Sequence, residues 1–336
     1  MLRAALAMLA VLFGPILVKP IERNLEFFFL IVGVLTAWAM GQFGPALIWA
    51  ALREPLSFTL AVLVFGAGFR LVRGRLDQLL AAIIPPLGTR WICSGLTIIL
   101  ALLAPLITPV VAALVFVEAI ALLRLERSIE VPVTVLACFA IGLGAGITPL
   151  GMPGIAVVLA ALHTDFWYLA RLLGPFILGG VLLISLAILF LPFGSRHPTH
   201  APVGEESRRF VLLIRPGKMY VFIAGLVALS EALRPSLEAY VARLPAGLLF
   251  WLNSFSAVVN NSTLAVVEIG PGLGANQQRA ALLGLLISGG MLISGNIPNV
   301  VAASRLGIAS RQWARIGLAT WLPLMLLCFA VLEWIG

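Results

Sequence analysis

The chain has 336 residues, 61% of them hydrophobic and only 11% charged, with a mean hydropathy of +1.10. A soluble globular protein carries roughly 25% charged residues, so a water-soluble fold is excluded for want of polar surface. The net charge of +8 could suggest a nucleic-acid binder, yet 20 of the 22 basic residues are arginines set at the ends of apolar blocks. That is the pattern of charged flanks around membrane spans, not of a nucleic-acid patch.

In chain order the apolar blocks fall at about 4–18, 26–40, 55–72, 89–105, 107–123, 132–162, 173–192, 211–233, 246–267, 277–306 and 317–335. Most have the length a bilayer core asks of a helix, and none shows the ten-residue alternation of barrel strands. The first block is followed by Lys19-Pro20-Ile21-Glu22 with no small-residue cleavage pattern, so a retained span is expected and not a signal peptide. Cys93, Cys138 and Cys328 lie far apart inside apolar blocks, which supports neither a disulfide framework nor a metal site. The polar stretch 193–210 reads as a cytoplasmic linker. It separates residues 1–192, an N-terminal span plus a first repeat, from 211–336, a second repeat.

Two blocks cannot continue as regular helices, and discontinuous helices are expected over the alternative of a simple kink or a short extramembrane loop. Block 132–162 contains Gly146-Ile147-Thr148-Pro149-Leu150-Gly151-Met152-Pro153-Gly154, and block 277–306 contains Ser288-Gly289-Gly290 and Ser294-Gly295-Asn296-Ile297-Pro298-Asn299. Proline lacks the N–H and clashes one turn back, while glycine costs backbone entropy. Freed backbone groups persist in hydrocarbon only inside protein or along a cavity. The breaks correspond: Gly144 and Gly289, and likewise Pro153 and Pro298, are 145 positions apart, and each break precedes a short Trp/Arg stretch and a final span. Taking 19–25 as cytoplasmic and 246–267 as a helical hairpin puts 16 basic residues inside and 6 outside. The two broken helices then cross in opposite directions. The expected fold is an all-α polytopic membrane protein of two inverted-topology repeats, each with a helical hairpin and a discontinuous transmembrane helix.

Such repeats are the signature of alternating-access secondary transporters, with the site near the bilayer midplane. Half-helix ends there present unpaired N–H groups and carbonyls. Thr148, Ser294, Asn296 and Asn299 at the breaks can complete a site. So can the polar run Asn253, Ser254, Ser256, Asn260, Asn261, Ser262 and Thr263, although interhelical packing explains any single member of it. Na⁺ bound through Asn260, Asn296 and Thr148 is the candidate metal ion. Glu118 is either a functional carboxylate at depth, suited to proton coupling, or one that snorkels to the membrane edge. No His-Glu-x-x-His, Gly-x-Ser-x-Gly or P-loop motif occurs, so an enzyme is not expected.

Several runs resemble a known family: Lys19-Pro20-Ile21-Glu22-Arg23-Asn24-Leu25-Glu26, Glu118-Ala119-Ile120, Thr148-Pro149-Leu150-Gly151-Met152-Pro153 and Asp165-Phe166-Trp167. So do Asn260-Asn261-Ser262-Thr263-Leu264 and Ser288-Gly289-Gly290 through Ser294-Gly295-Asn296-Ile297-Pro298-Asn299. They are similar to the predicted cation transporters known as domain of unknown function 1646. The resemblance implies membership of the ion transporter superfamily, alongside sodium/proton antiporters, citrate transporters and arsenite pumps. Two positions depart from the family pattern, which usually carries Asp where Asn260 stands and Glu where Met152 stands.

The sequence thus leads to an ion-coupled secondary transporter, cation-transporting or Na⁺/H⁺ antiporter-like, spanning the inner membrane many times. Its site comprises Thr148, Pro149, Gly151, Glu118, Asn260, Asn261, Ser262, Thr263, Ser294, Gly295, Asn296, Pro298 and Asn299. It needs no cofactor beyond Na⁺ or H⁺ as coupling ion. Its partners are the lipid bilayer and a small ion or solute, with no nucleic acid and with a homodimer as the candidate oligomer. The alternatives are a transporter of an organic anion or oxyanion, and a non-transporting scaffold that has lost its acidic ligands.

Overall fold

The computed structural model describes residues 2–18, 20–21, 24–53, 55–56, 59–60, 88–148, 164–193, 217–218, 220–229, 231–233, 244–254 and 273–335. Among these residues every regular element is helical. The helices are α1 (Leu2–Leu17), α2 (Leu25–Ala39), α3 (Thr89–Ile107), α4 (Pro109–Leu123), α5 (Arg127–Ala145) and α6 (Tyr168–Leu189). They continue with α7 (Ala246–Leu252), α8 (Ala275–Ser288), a 3-10 turn (Ile293–Gly295), α9 (Ile297–Leu306) and α10 (Ser310–Ile335). Residues 45–53 and 220–229 are also helical. The central linker from residue 194 and the second half of the 246–267 hairpin lie outside the described residues.

Among the described residues, four helices are long and apolar enough to cross a membrane: α3, α5, α6 and the 310–334 portion of α10. They differ in what covers them. The apolar window of α5 is 89% buried within the molecule, against 11% for that of α10. α5 packs against α3, α4, α6, α8, α9 and α10, so it is the axis of the bundle. α10 leaves Leu318, Leu322, Leu326 and Leu327 exposed, and α6 leaves Leu178, Leu182 and Leu186 exposed. These faces suit lipid tails, and the molecule is a membrane-embedded helical protein.

Close backbone approach sets the core. A Cβ on Gly144 of α5 would stand 1.9 Å from the Ala101 carbonyl oxygen of α3, so only a bare Cα fits that crossing. The N-terminal spans dock in the same way, since Gly33 of α2 lies against the Gly225 carbonyl. α3 and α4 form a tight pair separated by Thr108 alone, at φ 73° and ψ 145°, with Pro109 opening α4. Proline suits that first position because its missing N–H has no helical partner there anyway.

The Trp/Arg stretches expected to stand apart from the final spans are their first turns. α6 starts at Tyr168, and α10 runs unbroken from Ser310 through Gly317. Gly317 is tolerated inside that helix because the Met291 carbonyl oxygen occupies the place of its Cβ, 2.1 Å away.

Candidate functional site

The break in the second half is built by its own residues. α8 ends at Ser288, followed by Gly289 and Gly290. The chain passes through the 3-10 turn to Asn296, extended at φ −150° and ψ 145°, and α9 opens with Pro298 in its first turn. Asn299 is fully buried and bridges the gap, its Nδ2 donating to the Gly289 oxygen at 2.7 Å and the Leu292 oxygen at 2.8 Å. The last carbonyls of a helix have no partner within it, so this side chain completes the end of α8. Exchanging its nitrogen and oxygen would set three oxygens against one another, which fixes the amide's orientation. Its Oδ1 is then a buried acceptor with no partner. From outside, Trp313 Nε1 donates to the Gly290 oxygen at 3.1 Å, and Trp321 Nε1 donates to Ser288 Oγ at 3.1 Å.

α5 lies across this break and runs the opposite way to α8 and α9. Its first turn touches the end of α9, where Arg127 Nη1 donates to the Leu306 oxygen at 2.8 Å. Farther along, Cys138 Sγ lies 4.0 Å from the Pro298 oxygen, and a Cβ on Gly142 would stand 3.0 Å from Asn296 Nδ2. Gly146, just past α5, packs against Leu286 of α8. Gly290 in the break is set against the Phe139 ring. At a rise of 1.5 Å per residue, the ten residues of α9 place the break about 15 Å from the Arg127 end, half of a ~30 Å hydrocarbon core.

Of the residues singled out in the sequence, Ser294, Gly295, Pro298 and Asn299 are buried at this break, and Asn296 is partly buried beside Gly142 of α5. Thr148 is buried at the first break, with its Oγ1 unpartnered and so bonded to none of them. Pro149, Gly151, Met152, Asn260, Asn261, Ser262 and Thr263 lie outside the described residues. Asn253 is buried and ties α7 to α8, its Nδ2 donating to the Ala281 oxygen at 3.0 Å. Thr134 was not singled out, yet its Oγ1 is a further buried hydroxyl without a partner, one turn before Cys138. The only sequence signal for it was a hydroxyl inside a long apolar block.

An unpartnered buried polar atom costs about 1–3 kcal/mol, and such atoms call for an explanation. Asn299 Oδ1, Thr134 Oγ1 and Thr148 Oγ1 are three of them. Among the described residues no Lys, Arg or His is fully buried, and no three His, Cys, Asp or Glu side chains cluster. Among the described residues, the core around the breaks therefore offers neutral oxygen atoms with no buried positive charge beside them.

Glu118 is placed elsewhere. It forms an ion pair with Arg305, near the far end of α9 from Asn299. Beside it Arg127 donates to Glu130 Oε2 at 2.7 Å and to the oxygens of Leu306 and Gly307. The end of α9 is thus tied to α4 and α5 by charge. At the opposite end of the bundle, Tyr168 donates to Gln278 Oε1 at 2.6 Å, joining α6 to α8. There Arg171 donates to both oxygens of Asp165 at 2.7 Å and holds that carboxyl below the usual carboxylate range.

An apolar cavity of about 240 Å³ opens between α6 and α10, over the ends of α5 and α8. Its lining includes Leu143 with Ile287, Gly180 with Leu324, and Leu183 with Leu327. Each pair is separated by 144 positions, the offset that relates the Ala-Arg pairs of the two Trp/Arg stretches.

Together these features define a membrane-embedded helical protein with an interrupted helix and unpartnered acceptors at its core. The chain belongs to the family described as protein of unknown function (DUF1646), whose model matches residues 2–335. No curated protein matches the sequence.

Proposed function

We propose that the chain is an ion-coupled secondary transporter of the inner membrane, working by alternating access between two inverted repeats, with a cation site at the helix breaks. The observation that carries this reading is the buried, unpartnered Oδ1 of Asn299 in an interrupted helix packed against the oppositely running α5. Interrupted helices supply coordinating oxygens in secondary transporters. Hard cations such as Na⁺ take neutral oxygens readily, whereas an anion would need the buried positive charge that the described core lacks. The paired offsets in the apolar cavity support a repeat relation between the halves. The arginines at the Arg127 end, with Glu118 and Arg305, suit a cytoplasmic face. Glu118 serves there as a partner of Arg305, which leaves the cation to uncharged ligands: Asn299, Asn296, Thr148 and, on the sequence expectation, Asn260 through Thr263.

The test is transport in proteoliposomes. Asn260→Ala and Asn296→Ala should each abolish ion-dependent uptake or exchange while the protein stays folded, and unchanged transport in both would overturn the site. A second reading, transport of an organic anion or oxyanion, draws on the N-terminus of α9, where Asn296 makes no side-chain capping hydrogen bond and backbone N–H groups face the break. Thermal stabilisation by carboxylates, with none from Na⁺ or Li⁺, would favour it.

A further inference from the structure

Away from the breaks, where α8 begins and α10 finishes, α7, α8 and α10 enclose a pocket of about 200 Å³. Phe250, Phe329 and Leu332 give it apolar walls, and its polar groups are Asn276, Arg279 and Glu333. Arg279 Nη1 reaches Asn276 Oδ1 only at 3.4 Å, and its Nε is buried without a hydrogen-bond partner. Glu333 shares the pocket, its Oε1 3.6 Å from where a Cβ on Gly247 would stand. Among the described residues no ion pair joins Arg279 to Glu333. A guanidinium and a carboxylate that face one pocket without neutralising each other match a zwitterion. The planar guanidinium fork suits phosphate oxygens, and the carboxylate accepts hydrogen bonds from an ammonium group.

The surroundings say what carries the zwitterion. Glu333, Phe329, Leu326, Leu322 and Leu318 recur every three or four residues and so share one face of α10. The three leucines are 52%, 46% and 42% exposed, and they run from the pocket along the apolar span. Trp334, next to Glu333, is 87% exposed, and tryptophan at the end of an apolar helix marks the membrane–water interface. The pocket therefore sits at headgroup depth with an apolar track leading from it into the bilayer. A water-soluble zwitterion gains nothing from that track; an acyl chain does.

We propose that this pocket binds an aminophospholipid, with its phosphate on Arg279, its ammonium on Glu333 and an acyl chain along Leu326, Leu322 and Leu318. The proposal is independent of what the helix breaks transport. Thermal unfolding of the purified full chain in detergent, titrated with lipid, tests it. Phosphatidylethanolamine should stabilise the protein at about tenfold lower concentration than phosphatidylcholine, whose quaternary amine cannot donate to Glu333; that ratio corresponds to one charge-assisted hydrogen bond. Arg279→Gln should lose the response, whereas Glu333→Gln should keep a response to lipid but no longer prefer phosphatidylethanolamine over phosphatidylglycerol. The Glu333→Gln arm stands by itself if Arg279→Gln fails to fold. Equal responses to all three lipids in the unmodified protein, or an undiminished preference in Glu333→Gln, would overturn the proposal. Phosphoethanolamine without acyl chains should give no shift at the same concentration, and a shift as large as the lipid's would overturn the lipid assignment.

Discussion

Gly142→Ala probes the helix break from behind, through a residue that contributes no ligand atom. The new Cβ would stand 3.0 Å from Asn296 Nδ2. Carbon and nitrogen settle at roughly 3.5–4 Å, so the Asn296 amide must move by about 0.5 Å. That amide is only partly buried and makes no capping hydrogen bond, so it can swing. Alanine in place of glycine inside α5 also gains about 1 kcal/mol of helix propensity. The two effects largely offset, and the folded state should change by no more than about 1 kcal/mol. Catalytic and binding geometry is less forgiving: a 1 Å misplacement can cost about a hundredfold, so a ~0.5 Å shift should weaken Na⁺ binding by roughly tenfold. The assay is the Na⁺ concentration needed for half-maximal thermal stabilisation, with choline holding ionic strength constant. A variant that folds normally and binds Na⁺ with unchanged affinity would refute the placing of Asn296 in the site.

Three further perturbations test the frame. Gly144→Ala, two residues along the same helix, sets a Cβ 1.9 Å from the Ala101 carbonyl oxygen; it should cost about 3 kcal/mol or more and appear as lost expression or a much lower Tm, in contrast to Gly142→Ala. Trp313→Phe keeps the buried ring but strands the Gly290 carbonyl that Trp313 now serves. A loss of about 1–3 kcal/mol in thermal or denaturant unfolding is expected. Thr108→Gly relieves a non-glycine residue at φ 73° and gives up only a 3.4 Å capping contact. Residues held in such sparse regions cost about 1–3 kcal/mol, so this variant should raise Tm, corresponding to a net gain of about 1 kcal/mol.

Local chemistry made the breaks readable in advance, and tertiary chemistry hid the rest. Gly289, Gly290 and Pro298 announce an interruption because both residue types weaken a helix interior and here they stand close together, and the structure ends α8 and starts α9 around them. The separation of α3 from α4 falls at Thr108, with Pro109 at the first position of α4, whereas Pro105 lies inside α3. By contrast, the pairing of Glu118 with Arg305 joins residues 187 positions apart, and no periodicity reports it. The contact of Gly142 with Asn296 is equally silent in the sequence, because glycine in an apolar helix reads as a mere weakness until a partner side chain is seen against it. Thr134 escaped for a related reason: a lone hydroxyl in a membrane helix ordinarily bonds back to its own helix, and only the structure leaves this one without a partner. The Trp/Arg stretches fused with their spans because nothing between Tyr168 and Gly174, or between Ser310 and Gly317, breaks a helix.

The proposed site holds a cation through neutral oxygens at the breaks. Its most direct test is a thermal-stability screen of the purified protein against Na⁺, Li⁺ and K⁺ salts with choline as control, and against a series of carboxylates and oxyanions with one common cation. A saturable, cation-specific stabilisation that is weakened in Gly142→Ala and lost in Asn296→Ala is the predicted result. Stabilisation that follows the anion and is indifferent to the cation would contradict it.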